Sequence, residues 1–125
     1  MDKKVILIVD DIFVNRILLS QIIKNAGYDF LEAENGKKAI EMITGNHVDL
    51  VFMDIEMPVM NGLETTQHIR KKLEWPKSQL PVIGLTAYNP LDYFSDFRDC
   101  GFTDLLTKPY QIEKIDLIIK KYLNK

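Results

Sequence analysis

Short apolar runs alternate with longer segments of helical period along this 125-residue chain. Val5-Ile6-Leu7-Ile8-Val9 is unbroken and mostly β-branched, the pattern of a strand covered on both faces. Val14, Ile17, Leu18 and Ile22 then recur at helical spacing, which predicts a helix that buries this face and stops at Gly27. Residues 29–33 predict a shorter, weaker strand, and residues 36–45 a helix with Ala39, Ile40 and Ile43 on one side. Residues 49–53 give a second buried strand. Pro58 and Asn61-Gly62 mark a loop, after which residues 63–73 resume the helical period. Residues 81–85 predict a third buried strand, entered through Pro81, where no ladder donor is lost. Pro90 suits a first helical turn, and Leu91, Phe94 and Phe97 line one side of a predicted fourth helix that ends at Gly101. Residues 102–106 predict the last strand, and Ile112, Ile115, Ile119 and Leu123 the last helix. Five βα units in strict alternation imply an α/β fold with a parallel sheet, right-handed crossovers and helices on both faces. Such sheets bind ligands in the crevice beyond the carboxyl ends of their strands.

Composition narrows the function classes. Hydrophobic residues make up 46% and charged residues 27%, enough apolar material for one self-sufficient core. Sixteen Lys+Arg against 18 Asp+Glu leave a net charge of −2, with no broad basic field for nucleic acid or an anionic membrane. The five-residue run at Val5–Val9 is far short of the ~20 residues a membrane span needs. Cys100 is the single cysteine, and with two scattered histidines it makes no zinc set, so it is expected to be a small buried residue. Met1-Asp2-Lys3-Lys4 enters the first strand without a signal-peptide cleavage pattern, and a cytoplasmic location is the expectation.

The residues just beyond the predicted strands carry the chemistry. Asp10 and Asp11 follow the first strand, Asp54 the third, Thr86 the fourth and Lys108-Pro109 the fifth. Three carboxylates, a hydroxyl and an ammonium would then converge on one edge of the sheet. Carboxylates packed together repel, and a hard divalent cation such as Mg²⁺ relieves the repulsion with oxygen ligands. That set suits phosphoryl transfer, in which cation and Lys108 neutralise phosphoryl oxygens and one carboxylate attacks. Asp54 stands alone at its strand end and is the better nucleophile; the adjacent Asp10 and Asp11 are placed to hold the metal. Asp pairs after strands often serve as turn residues, and Thr86 could instead cap the helix that follows.

Asp10-Asp11, Asp54-Ile55-Glu56-Met57-Pro58 with Asn61-Gly62, Leu85-Thr86-Ala87 and Thr107-Lys108-Pro109 together resemble the receiver domain of two-component response regulators. The resemblance covers essentially the whole chain. It implies a flavodoxin-like (βα)5 fold with strand order 2-1-3-4-5. The expectation for residues 1–125 is a single receiver domain without an output domain, either a stand-alone regulator or a domain cut from a hybrid kinase. It implies that a histidine kinase or histidine phosphotransfer protein passes a phosphoryl group from phosphohistidine to Asp54. Asp11, Asp54 and the backbone carbonyl of Glu56 would ligate Mg²⁺, with Asp10 beside them. Lys108 would pair with the phosphoryl group, and Thr86 would swing toward it. The Lys108-Pro109 bond would be cis. The surface of the fourth helix, last strand and last helix would then shift toward a downstream protein target. On this reading the chain is an acceptor domain rather than an enzyme that turns over a separate substrate. Val14-Asn15-Arg16 and Met60-Asn61-Gly62 are more similar to receivers of hybrid kinases and phosphorelays than to those of DNA-binding regulators.

Leu105 departs from the family pattern, standing three residues before Lys108 where an aromatic ring is usual. Glu56 and Tyr88 would flank the route of water to an acyl phosphate. Tyr93 and Phe97 exceed what one buried helix face needs and are candidates for a partner surface. His47 and His68 are expected to be exposed, and Trp75-Pro76 to close the third helix by packing. Rival functions fit less well. A nucleotide binder would want phosphate-cradling donors where Asp10-Asp11 stands. A phosphatase with its nucleophile on the first strand would want a second acid where the chain has Ile12. A receiver-shaped interaction module would not need the full acidic set.

Overall fold

The computed structural model describes residues 3–57, 60–87 and 99–123. Strands β1 (Val5–Val9), β2 (Asp29–Ala33), β3 (Leu50–Asp54), β4 (Val82–Thr86) and β5 (Asp104–Thr107) form one parallel sheet in the order β2-β1-β3-β4-β5. Helices α1 (Phe13–Asn25), α2 (Gly36–Gly45), α3 (Gly62–Lys72) and α4 (Ile112–Leu123) complete the described elements, with a 3₁₀ turn at Lys77–Gln79. The expected flavodoxin-like architecture and strand order are those observed. The helix expected between Pro90 and Gly101, with Leu91, Tyr93, Phe94 and Phe97, falls almost wholly outside the described residues, as do Tyr88 and Pro58.

Strand alternation divides the interior into two cores, one on each face of the sheet. Leu7, Val9, Val51, Met53 and Val82 point to the side covered by α2 and α3, where Ala39, Ile43 and Ile69 meet them. Ile6, Ile8, Leu50, Phe52, Ile83 and Leu85 point to the other side, against Leu19, Ile22 and Ile23 of α1 and Ile115 and Ile119 of α4. All five residues of β3 and of β4 are buried, as befits central strands.

Helix α1 corrects the expected face. Of Val14, Ile17, Leu18 and Ile22, Ile22 alone is buried; Val14 is 69% exposed and Leu18 45%. Leu19, Ile22 and Ile23 face the sheet instead. The helix carries apolar residues on two adjoining stripes, so periodicity showed that a helix was there but not which stripe turns inward. Smaller corrections follow the same logic. Ile112 is exposed at the open start of α4, while Ile115 and Ile119 are buried. Trp75 does not pack down after α3; it is 78% exposed, and Trp75-Pro76 is cis. Cys100 and His68 are half-buried, and His47 is exposed beside Asp49. Strand β5 begins at Asp104 rather than 102, although Thr103 N–H already donates to the Val82 carbonyl at 2.8 Å.

One side chain ties several connections together. The guanidinium of Arg70, at the end of α3, donates to the carbonyls of Gly101 (2.9 Å), Ser78 (3.0 Å) and Leu80 (2.7 Å), and to the Thr103 hydroxyl (3.2 Å). Thr103 Oγ1 in turn accepts the Val82 N–H at the start of β4. Nothing in apolar periodicity marks Arg70, because its work is to satisfy carbonyls that no helix or ladder reaches. Removing the fork leaves those acceptors short of donors. Arg70→Met should therefore lower unfolding free energy by about 3 kcal/mol, measured by urea denaturation, against less than about 0.5 kcal/mol for exposed Lys71→Met.

Candidate functional site

The register fixes the geometry of the site. Val9 pairs with Met53, so Asp10 and Asp54 leave adjacent strands at the same level. Asp54 pairs with Leu85, which sets Thr86 one step beyond on β4, and Thr86 pairs with Thr107, the residue before Lys108. Each oxygen of interest is thus delivered by a strand whose own residues are locked in the two cores.

The structure brings the expected carboxylates together. One carboxylate oxygen from each of Asp10, Asp11 and Asp54 lies within 4.8 Å of the others. Asp10 and Asp54 are buried, at 0% and 2% exposure, and Asp11 is exposed at the mouth. Lys108 Nζ reaches Asp54 Oδ1 at 3.1 Å, joining the ends of β3 and β5. The Glu56 N–H donates to the same oxygen at 3.3 Å, while the Glu56 side chain is exposed. Thr86 is buried at the end of β4, and its carbonyl accepts the Lys108 N–H at 2.8 Å. The Lys108-Pro109 bond is cis, as expected.

The Asp54 carboxyl is pushed up to about 6. Burial is the main cause and the charge of Asp10 the second; the Lys108 ammonium and the Glu56 amide offset part of the rise. A site that raises one of its own carboxyls in this way is short of positive charge. The donor set is all oxygen, clustered, and strained by its own repulsion, which fits a hard divalent cation such as Mg²⁺.

The turn after β3 folds back tightly. Gly62 N–H donates to the Ile55 carbonyl at 3.0 Å, and a Cβ on Gly62 would stand 2.5 Å from the Asp54 carbonyl oxygen. Only glycine permits that approach. Asn61 and Glu64 form a capping box that starts α3 at the same point. Leu105 is buried, and its Cδ2 fills the space that a Cβ on Gly84 would claim, 2.7 Å away.

Three neighbours escaped the sequence reading as site residues. Asn15 Nδ2 donates to Asp10 Oδ2 at 3.3 Å, and Arg16 Nη1 to the Asp10 carbonyl at 2.7 Å. The Tyr110 hydroxyl stands 3.5 Å from Asp10 Oδ2, and burial, then the charges of Asp10 and Asp54, push that phenol up. Asn15-Arg16 was visible as a motif, but its target was not: a helix beginning just after Asp11 turns these positions back over the strand end.

Comparison with known proteins agrees with this geometry. The family model of the response regulator receiver domain matches residues 6–120. Sporulation initiation phosphotransferase F of Bacillus subtilis is 36% identical over 118 residues, covering 94% of this chain and 92% of that protein. The autoinducer 1 sensor kinase/phosphatase LuxN of Vibrio harveyi is 34% identical over 96% of this chain, which spans 14% of the kinase's length. Among solved structures, the response regulator TrrA of Thermotoga maritima, in complex with Mg²⁺-BeF, is 37% identical with a TM-score of 0.84, covering 96% of this chain and 99% of that one. The match to the family, spread over nearly every element that builds the acidic mouth, makes this chain a member of the response regulator receiver domain family.

Proposed function

We propose that this receiver accepts a phosphoryl group on Asp54 from a phosphohistidine of a histidine kinase or histidine phosphotransfer protein. The observation that carries the reading is the convergence of Asp10, Asp11, Asp54 and Lys108 on one mouth. In the transfer, the P–N bond of phosphohistidine breaks as a bond forms between phosphorus and a carboxylate oxygen of Asp54. The electron pair returns to the imidazole, which takes up a proton. Asp11, Asp54 and the Glu56 carbonyl would hold Mg²⁺, with Asp10 beside them. The cation supplies charge neutralisation for the phosphoryl oxygens. Lys108, already on Asp54 Oδ1, moves its charge onto a phosphoryl oxygen, and the Thr86 hydroxyl donates to another. The Thr86 loop and the surface of the predicted fourth helix, β5 and α4 transmit the change. Leu105, seated in the Gly84 notch, gives this relay no ring to turn, so the Thr86 side carries more of it. The phosphoryl group is received and later lost to water, with no separate substrate turned over.

The exposed stripe of α1 supports a protein donor. Ile12, Phe13, Val14, Ile17 and Leu18 are all more than a third exposed and begin directly after Asp10-Asp11. An apolar surface beside a charged reaction centre fits a partner that must seat a histidine over Asp54. No helix among the described residues is long and apolar enough to cross a membrane. With no basic field either, the reading includes neither nucleic-acid binding nor membrane insertion, and it assigns a cytoplasmic setting.

Incubation with acetyl phosphate and Mg²⁺ tests the acceptor role. Intact-mass spectrometry should show one added phosphoryl group, lost in Asp54→Ala and on chelation by EDTA; a modified Asp54→Ala protein would overturn the assignment. Lys108→Ala should retain Mg²⁺ binding yet slow this modification by at least about tenfold, since charge neutralisation on the transferring group is lost.

The raised Asp54 carboxyl predicts a pH dependence with a definite sign. Between 3.8 and about 6 the folded protein binds a proton that the unfolded chain has released. Stability of the Mg²⁺-free protein should therefore fall as pH rises through this window, by up to about 3 kcal/mol. Asp54→Asn should flatten that decline, so it exceeds the parent in urea midpoint at pH 7.5 and not at pH 3.5. Equal offsets at both pH values would contradict the assignment.

Docking on α1 separates the small donor from the protein donor. Leu18→Lys should leave acetyl phosphate modification unchanged and slow transfer from a cognate phosphohistidine protein by about tenfold or more, read by radiolabel transfer.

A further inference from the structure

We propose that Asn15 and Arg16 are positioning residues for the cation site, acting through Asp10. The inference rests on the Mg²⁺-dependent reading given above and assigns to this motif a function that the acceptor chemistry leaves unassigned. Asp10 is held at every polar atom it owns. Its N–H donates to the Ala33 carbonyl at 3.2 Å, and its carbonyl accepts Arg16 Nη1 at 2.7 Å. Its Oδ1 accepts the Ile12 N–H at 2.9 Å, and its Oδ2 accepts Asn15 Nδ2 at 3.3 Å, with the Tyr110 hydroxyl at 3.5 Å from the same atom. Arg16 is itself braced. Its Nε meets Glu32 Oε1 at 3.3 Å, its guanidinium lies 5.6 Å from the Phe13 ring centroid, and its side chain is 14% exposed.

The arrangement has a directional consequence. Oδ2 already has two donors from the protein and Oδ1 one, so the lone pair left for a cation is on Oδ1. Arg16, by holding the Asp10 carbonyl, fixes the peptide plane that Asp10 shares with Asp11. The exposed carboxylate of Asp11 is therefore presented from a rigid base rather than from a loose turn. The guanidinium does this from the main-chain side of Asp10, bridging β1 to β2 through Glu32. Partners that orient metal ligands in this way typically matter by about 10–100-fold in affinity.

Electrostatics alone predicts the opposite sign, which makes the idea sharp. Deleting a positive charge next to an acidic mouth should tighten cation binding by Coulomb attraction. Positioning predicts that it weakens. Isothermal titration of the Mg²⁺-free full chain with MgCl₂ decides between them. Arg16→Met and Asn15→Ala should each weaken Mg²⁺ binding by about tenfold, and Arg16→Lys, which keeps one donor and the charge, should recover part of the loss. Glu32→Gln, which leaves Arg16 within reach of the Asp10 carbonyl, should stay within about twofold of the parent. Thermal melts in EDTA read folding separately, and Tyr110→Phe supplies a second probe of Oδ2 with the ring packing retained. Unchanged or tighter Mg²⁺ binding in folded Arg16→Met and Asn15→Ala overturns the proposal. A parent chain that binds no Mg²⁺ overturns the functional reading beneath it, and the two failures are told apart by that first titration.

Discussion

Two buried carboxylates, Asp10 just beyond β1 and Asp54 at the end of β3, stand together at one edge of the sheet. Burial, and after it the charge of Asp10, pushes the Asp54 carboxyl up to about 6 in spite of an ammonium in contact with it. Much of the surrounding architecture answers to that charge. Lys108 arrives from β5, the Glu56 amide from the turn after β3, and the Ile12 amide and Asn15 from the start of α1. The two apolar cores hold the strand ends in register, so these partners meet without a search for geometry. The repulsion that remains is what a bound divalent cation would relieve.

The fold was legible because parallel strands buried on both faces are written as continuous apolar runs, and their order was implied by the family resemblance. The carboxylates, Thr86 and Lys108 were legible for a related reason. In a doubly wound sheet, whatever follows each strand must converge on one edge, so sequence position becomes spatial position without side-chain detail. Arg16, Asn15 and Tyr110 could not be placed in the same way. Their roles depend on which way a helix turns after the second aspartate and on which atoms lie within 3.5 Å, neither of which composition encodes.

Helix α1 shows the limit of periodicity most clearly. Its sequence is apolar over Phe13, Val14, Ile17, Leu18, Leu19, Ile22 and Ile23, a belt too wide for one buried face. The sheet takes the stripe of Leu19, Ile22 and Ile23. The stripe left outside looks, from sequence alone, like the better core. An excess of apolar residues on a helix beside a reactive mouth is therefore informative as an excess, not as noise around a buried stripe.

The Arg70 fork has a mechanical implication. The connection from β4 to β5 starts at Thr86 and returns through Gly101, whose carbonyl is gripped by a guanidinium that also holds the approach to β4. The entries to β4 and β5 therefore hang on a single guanidinium, and neither strand can shift at its start without drawing on the contacts of the other.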